Sequence, residues 1–384
     1  MTTAPLRPGE WVDHATALDD IPGDRYRMEI PTERYVASDF VTLERDAIWM
    51  KVWQVVGRAD ELTKTGDWKQ YRIFDQSYLV VRGKDDKIRA FYNVCQHRAH
   101  ELVKGSGQAK VLTCPYHAWT YHADGRLRTA RGSENLPSFN KDEFCLKPVR
   151  VETMANFVFV NLDPEAPPLT VQSGALESEI RGYCPEIDNL VLARVMTYDI
   201  EGNWKNSVDN FLECYHCHVA HSDFCDLVDM DSYRSICHDI YSSHCGRSSH
   251  RASKAYEYSG DVRAQKFGSW LLWPNLSIEV FPGAPNVNIF HHVPIGPEKT
   301  RHVFEFYMES GTPTPEQEDA IRYIDEVLQA EDITLVESVQ RGLHSKGYNQ
   351  GRFIVDEGRT DKSEHAVHHF HGLVVDALKR YGGA

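Results

Sequence analysis

Two short segments, Cys95-Gln96-His97 and Cys114-Pro115-Tyr116-His117, constrain this chain more than anything else in it. Each supplies one thiolate and one imidazole, and 16 residues separate them. Both halves lie at turns beside strand-like runs, so two loop tips can approach one another around a metal centre. Two cysteines with two histidines suit a tetrahedral zinc ion. Paired zinc ligands, however, usually stand two to four residues apart, and a single residue separates Cys95 from His97. Gly105 and Gly107 between the halves suit tight turns, but the run lacks the third glycine of a dinucleotide fingerprint.

The surroundings fit a small β framework. Tyr71 to Phe74, Ser77 to Val81, Ile88 to Tyr92, Val111 to Thr113, Ala118 to Tyr121 and Asn156 to Asn161 read as short strands between turns. A short helix precedes them near Glu44 to Val55. Residues 45–165 therefore read as an all-β domain, closed by Asp163-Pro164 and Ala166-Pro167-Pro168. Residues 1–44 are polar and weakly periodic, an arm expected to pack on the rest. Residues 166–384 mix both element types. Strands are expected at Leu190 to Tyr198, Trp270 to Phe281, Val287 to His292 and Thr300 to Met308, and helices at Trp204 to Ala220, Pro315 to Leu343 and Glu364 to Lys379. Pro315 with Glu316, Glu318 and Asp319 marks a helix start. The fold class is α+β: an all-β domain, then an antiparallel sheet carrying helices.

A second constellation lies on the expected helix at Trp204 to Ala220. Asp209, Glu213 and His216 are spaced by four and three and share one face. His221 follows five residues later, about 140° round a straight helix. The helix must therefore break between the two histidines if both are to meet one ion. Two histidines need one carboxylate to complete a facial triad for non-haem iron with open positions. Asp332 is the choice, placed mid-helix beside the apolar Leu335, Val336 and Val339, with Asp325 the weaker substitute.

Composition narrows the partners. A formal charge of -14 disfavours nucleic acid and anionic lipid. No apolar run approaches the 18 or so residues needed to cross a bilayer, and the first ten residues do not read as a secretory signal. A cytoplasmic location is expected. In that setting nine cysteines argue for thiols or metal ligands rather than disulfides, and Cys214, Cys217, Cys225, Cys237 and Cys245 read as buried free thiols.

The two motifs in this order resemble the catalytic subunits of the Rieske non-haem iron oxygenases, over about Trp49 to Leu378. The first is Cys95-x-His97 with Cys114-x-x-His117. The second runs from Asn203-Trp204-Lys205 through Asp209-Asn210-Phe211-Leu212-Glu213-Cys214-Tyr215-His216 to His221. By this resemblance Cys95 and Cys114 hold one iron of a [2Fe–2S] cluster, and His97 and His117 hold the other. His216, His221 and Asp332 bind a catalytic Fe(II) that uses O2. Glu213, three positions before the first iron histidine, would connect the centres across a subunit interface of a homotrimer, with Asp209 as the other candidate. Electrons would come from NAD(P)H through a separate flavin or iron–sulfur reductase.

Glutamate at 213, where aromatic-ring members usually carry aspartate, is similar to the branch acting on quaternary amines such as choline, glycine betaine, carnitine and proline betaine. The run from Cys95 to Leu102 and Trp273-Pro274-Asn275 point the same way. The implied reaction is hydroxylation of an N-methyl carbon and release of formaldehyde. An aromatic-compound oxygenase is the alternative, and a bare Rieske electron carrier is the alternative of another class. A quaternary ammonium head favours aromatic faces. Candidates are Phe211, Tyr215, Tyr233, Tyr241, Trp270, Trp273 and Phe290, with His238, His244 and Arg247 on an expected covering loop.

Overall fold

Turn residues divide Trp49–Val171 into short strands that assemble as one unit. The computed structural model describes residues 29–249, 252–260 and 265–382; the first 28 residues of the expected arm lie outside it. Strands β1 (Gln54–Arg58), β2 (Asp67–Ile73), β3 (Gln76–Arg82), β4 (Ile88–Tyr92) and β5 (Ser106–Gln108) come first. A small separate sheet follows, made of β6 (Leu112–Thr113), β7 (Thr120–Tyr121) and β8 (Leu127–Thr129) in that order. Then β9 (Pro148–Met154) and β10 (Phe157–Asn161) complete the large sheet, ordered β1-β10-β9-β4-β3-β2-β5 and antiparallel throughout.

Alternation along β3 shows why its apolar run is nearly continuous. Tyr78 and Val80 enter one core with Val56, Val149 and Val160, while Leu79 and Val81 enter another with Leu112, Trp119 and both motif cysteines. Successive strand side chains point to opposite faces, and here both faces are covered. The proline-rich stretch after Asp163 is bound into this unit. Trp53 Nε1–H donates to the Pro167 carbonyl at 3.1 Å, and the Leu169 N–H to Glu152 at 2.8 Å. The unit accordingly ends at Val171.

The other unit starts at Gln172 and takes in the described residues ahead of Trp49. Its strands are β11 (Val191–Ile200), β12 (Arg234–Cys237), β13 (Tyr241–Arg247), β14 (Lys266–Leu272), β15 (Leu276–Val280), β16 (Asn286–Gly296) and β17 (Lys299–Met308). They form one antiparallel sheet in the order β11-β17-β16-β15-β14-β13-β12. Two expectations fail here. Trp270 to Phe281 is a hairpin rather than one strand, because Pro274 has no N–H to give to a ladder. The expected covering loop with His238, His244 and Arg247 is β12, β13 and their turn, with His244 only 1% exposed. Its run Tyr-Ser-Ser-His-Cys-Gly-Arg shows no hydrophobic alternation, because this sheet face buries small polar side chains.

The helix expected over Trp204 to Ala220 is two pieces, α1 (Trp204–Phe211) and α2 (Cys217–Ala220), and a further helix, α3 (Ser222–Leu227), follows. Asn203 caps α1 by accepting the Lys205 N–H at 3.0 Å. Lys205 is fully buried against Glu44, which also accepts the Trp204 indole N–H at 2.8 Å, so the segment before Trp49 clamps α1. The long C-terminal helix opens as α4 (Pro315–Arg322) with a Thr314–Gln317 capping box, passes through a π-helical turn at Tyr323–Leu328 and continues as α5 (Gln329–Leu343). The last helix is α6 (His365–Gly382).

Candidate functional site

In the smaller unit the two motif loops repeat one backbone design. The Cys95 N–H donates to the His100 carbonyl at 2.8 Å, and the Ala99 N–H returns to the Cys95 carbonyl at 3.1 Å. The Cys114 N–H donates to the Trp119 carbonyl at 2.8 Å, and the Ala118 N–H to the Cys114 carbonyl at 3.0 Å. Each turn closes through a left-handed alanine, Ala99 at φ 57° and Ala118 at φ 59°. Both cysteines are buried, whereas His97 is exposed and His117 half-buried. The two imidazole Nδ1 atoms stand 3.1 Å apart. Trp119 stacks on His97 at 4.8 Å and meets Phe139 and Phe144 edge-on. Tyr121 lies 3.4 Å from the Cys95 sulfur, and burial pushes that thiol up, which favours a neutral group unless a metal takes the proton's place. Two inner sulfurs and two outer imidazoles are the donor types that a Rieske [2Fe–2S] cluster takes.

In the larger unit α1 ends at Phe211, so Glu213 and His216 stand in the turn after it and do not share the face of Asp209. The break falls before His216 as well as at His221, which separates α2 from α3 with φ -118° and ψ 63°. His216 and His221 thereby turn their Nε2 atoms to 3.1 Å from each other. Asp332, from the first turn of α5, brings Oδ1 to 2.9 Å from His221 Nε2 and 3.6 Å from His216 Nε2. Ligand atoms of all three lie within 4.8 Å of one another, the geometry of a two-histidine, one-carboxylate site.

The outer nitrogens are tied down by carboxylates. His216 Nδ1–H donates to Glu213, which also receives the backbone N–H groups of Tyr215 and His216. His221 Nδ1–H donates to Glu331 at 2.7 Å. These bonds fix the tautomer that leaves each Nε2 free for a metal. Burial pushes the His221 imidazole down, but Asp332 and Glu331 outweigh it and lift the group to about 9. Asn210 donates to Asp332 at 3.1 Å. Asp209 is engaged elsewhere, by the Tyr35 hydroxyl at 2.6 Å and His371 Nε2 at 2.9 Å. Asp325 accepts from Tyr198.

Residues 52–140 match the Rieske [2Fe-2S] domain, and residues 187–380 match the ring hydroxylating alpha subunit (catalytic domain). The carnitine monooxygenase oxygenase subunit of Escherichia coli (strain K12) is 38% identical over 352 residues, covering 91% of this chain and 94% of the relative. This chain is a Rieske non-haem iron oxygenase. The chloroplastic choline monooxygenase of Atriplex hortensis is 31% identical over 359 residues, covering 91% of this chain and 78% of the relative. A solved quaternary ammonium Rieske monooxygenase, studied for carnitine oxidation by gut microbiota, superposes with a TM-score of 0.82 at 36% identity, over 90% of this chain and 94% of that one. The family carries a Rieske [2Fe–2S] cluster and a mononuclear iron. Both donor sets above fit those groups.

Beside the His216, His221 and Asp332 cluster of the oxygenase lies a cavity of about 80 Å³. Of the expected aromatic candidates, Phe211, Tyr233 and Phe290 line it. Tyr241, Trp270 and Trp273 do not, and Tyr215 is 48% exposed. Phe224, Phe267, Phe281 and Phe304 were invisible to sequence reasoning, since only the packing of helix α3 against the sheet brings them to one cavity. Cys214 and Cys217 also line the cavity, and they correct the expectation of free thiols: the turn brings their Cα atoms to 4.8 Å and they form a disulfide. The other seven cysteines are free.

A buried polar row ends at Gln329, three residues before Asp332 on α5. Gln329 Oε1 receives His302 Nδ1–H at 3.2 Å, so His302 Nε2 accepts the Ser207 hydroxyl. Ser207 Oγ then receives His292 Nδ1–H at 2.6 Å, and His292 Nε2 accepts the Ser277 hydroxyl at 3.0 Å. Burial holds both imidazoles neutral, His302 down at about 4. The row ties α1 and α5 to the sheet. Among the described residues no helix is long and apolar enough to cross a membrane.

Proposed function

We propose that this oxygenase hydroxylates an N-methyl carbon of a quaternary ammonium or betaine substrate, giving oxidative N-demethylation. The observation that carries the reading is the cavity. It is walled by phenylalanines, contains carboxylates at Glu213, Glu279 and Asp332, and has no lysine or arginine among its described lining residues. A methylated cation is stabilised in such surroundings. The named activities of the similar carnitine and choline enzymes support the same substrate class.

In this reading Cys95, His97, Cys114 and His117 hold the cluster, and His216, His221 and Asp332 hold the iron. The cluster supplies single electrons and the iron supplies oxygen activation. Glu213 and Glu331 keep both iron imidazoles in one tautomer, and Asn210 holds the Asp332 carboxylate in place. The phenylalanine walls exclude water and hold the target methyl group beside the triad. Hydroxylation of that methyl carbon gives a carbinolamine, which loses a proton and splits into formaldehyde and the demethylated amine.

Glu213, bonded directly to the His216 imidazole, is the carboxylate assigned to connect the two centres across a subunit interface; Asp209 bonds instead to Tyr35 and His371. A homotrimer, a separate NAD(P)H-dependent reductase and a cytoplasmic location complete the proposal. Incubation with such a reductase, O2 and a panel of betaines and aromatic acids tests it. Formaldehyde in proportion to demethylated product is expected. A hydroxylated aromatic product without betaine turnover overturns it.

A further inference from the structure

Of the three carboxylates in the cavity, Glu213 and Asp332 bond to the histidine cluster, and Glu279 does not. Glu279 stands on β15, a central strand of the sheet, and is 8% exposed. Its register partners are Ser269 on β14 and Asn288 on β16. Neither side chain bonds to its carboxylate, which has no hydrogen-bond or ion-pair partner among the described residues. On one side of it the pair Phe267–Phe281 meets edge-on at 5.3 Å; on the other, Phe290–Phe304 stacks at 4.0 Å. All five side chains line the cavity that Asp332 also faces.

A buried carboxylate between four phenyl rings is costly to ionise without a counter-charge. Burial, with the Asp332 charge added, pushes Glu279 up to about 8. The described lining residues contain no lysine or arginine that could compensate it. Left without one, Glu279 is held largely protonated at neutral pH, and a cation that ionises it has to enter the cavity as a ligand. We infer that Glu279 is the counter-ion of the substrate's cationic nitrogen, its carboxylate set between two phenylalanine pairs that enclose the methyl groups.

The chemistry of the ligand explains the absence of a hydrogen-bond network. A quaternary nitrogen has no N–H to donate, so it is recognised by charge and by contact with its methyl groups alone. Ring faces supply a partial negative potential, and a carboxylate in a water-poor cavity supplies a full one. A neutral aromatic substrate would leave Glu279 protonated and gain no charge attraction from it. Glu279 would thus select cations over neutral molecules of the same shape. This inference rests on the quaternary-amine reading of the cavity.

Calorimetric titration of the holoenzyme with choline, and with its neutral isostere in which carbon replaces nitrogen, tests it. The wild type should prefer choline. Glu279→Gln should bind choline at least about 30-fold more weakly and the isostere no worse, so that the preference collapses. Glu279→Asp should restore part of it. A glutamine variant with the wild-type preference overturns the inference alone, provided the wild type still releases formaldehyde from betaines. A wild type without preference for the cation overturns both the inference and the quaternary-amine reading. A crystal structure of wild-type holoenzyme with choline decides the matter independently of how the variants fold. The nitrogen should lie within about 5 Å of the Glu279 carboxylate; a nitrogen seated at the far wall sinks the idea.

Discussion

His97 and His117 meet across 20 residues of chain, within two loops that repeat the same backbone hydrogen bonds. His221 and Asp332 meet across 111 residues, brought together by a broken helix and the start of another. The first pocket is shaped by its own loops and sits near the surface. The second is shaped by whatever holds α1 and α5 against the sheet: the buried Ser277–His292–Ser207–His302–Gln329 row and the Glu44 clamp on α1. A local site should tolerate disturbance of the fold around it, and a non-local one should not.

The most severe way to break this comparison is to remove one ligand from each site. Asp332→Ala should abolish turnover, by roughly a thousandfold or more, and empty the mononuclear site while the visible spectrum of the cluster persists. Cys114→Ser should do the reverse, with cluster absorbance lost and one iron per chain retained. Iron and sulfide counts with visible spectroscopy check both; joint loss of the two centres in either variant would show that they are not independently built.

A smaller effect sharpens the contrast in the outer shell. Glu213→Gln and Glu331→Gln each remove a carboxylate from one imidazole of the proposed iron site, and mononuclear iron should be lost to a chelator at about 10- to 100-fold lower chelator concentration. Among the described residues no carboxylate bonds to His97 or His117. The cluster should therefore be retained equally in both variants.

The mildest expectation concerns acid. Burial pushes His244 down to about 3 and His291 and His302 to about 4, against about 6.5 for an unfolded histidine. Between those values the unfolded chain binds more protons than the folded one, so stability is complete above about 6.5 and falls as pH falls toward 3. All three histidines belong to the larger unit. Circular dichroism melting between pH 7 and 5 should show the larger unit weakening first, while cluster absorbance persists. Loss of the cluster before the larger unit melts would contradict this.

The grouping of Cys95, His97, Cys114 and His117 was legible because two loops with the same residue types at short spacing leave little freedom in how they fold. His216, His221 and Asp332 were legible as residue types, and so was the need for a kink. The place of the kink was not, since nothing in the run Leu212 to Tyr215 forbids a helix and the chain leaves it to satisfy Glu213 and the disulfide. Glu279 was the larger omission. Its run, Leu276-Ser277-Ile278-Glu279-Val280, looks like an ordinary strand with a solvated glutamate. Only the seven-strand order, with β14 and β16 on either side, turns that face inward.

The direction of every hydrogen in the Ser277-to-Gln329 row follows from its neighbour. Gln329 sits at the end of that row and in the wall of the cavity. Turning its amide over would present N–H groups to an imidazole nitrogen that already carries a proton, and relieving the clash would mean inverting two imidazoles and two hydroxyls in concert. The polarity that an incoming molecule meets at this point of the wall is therefore set several residues away, inside the sheet.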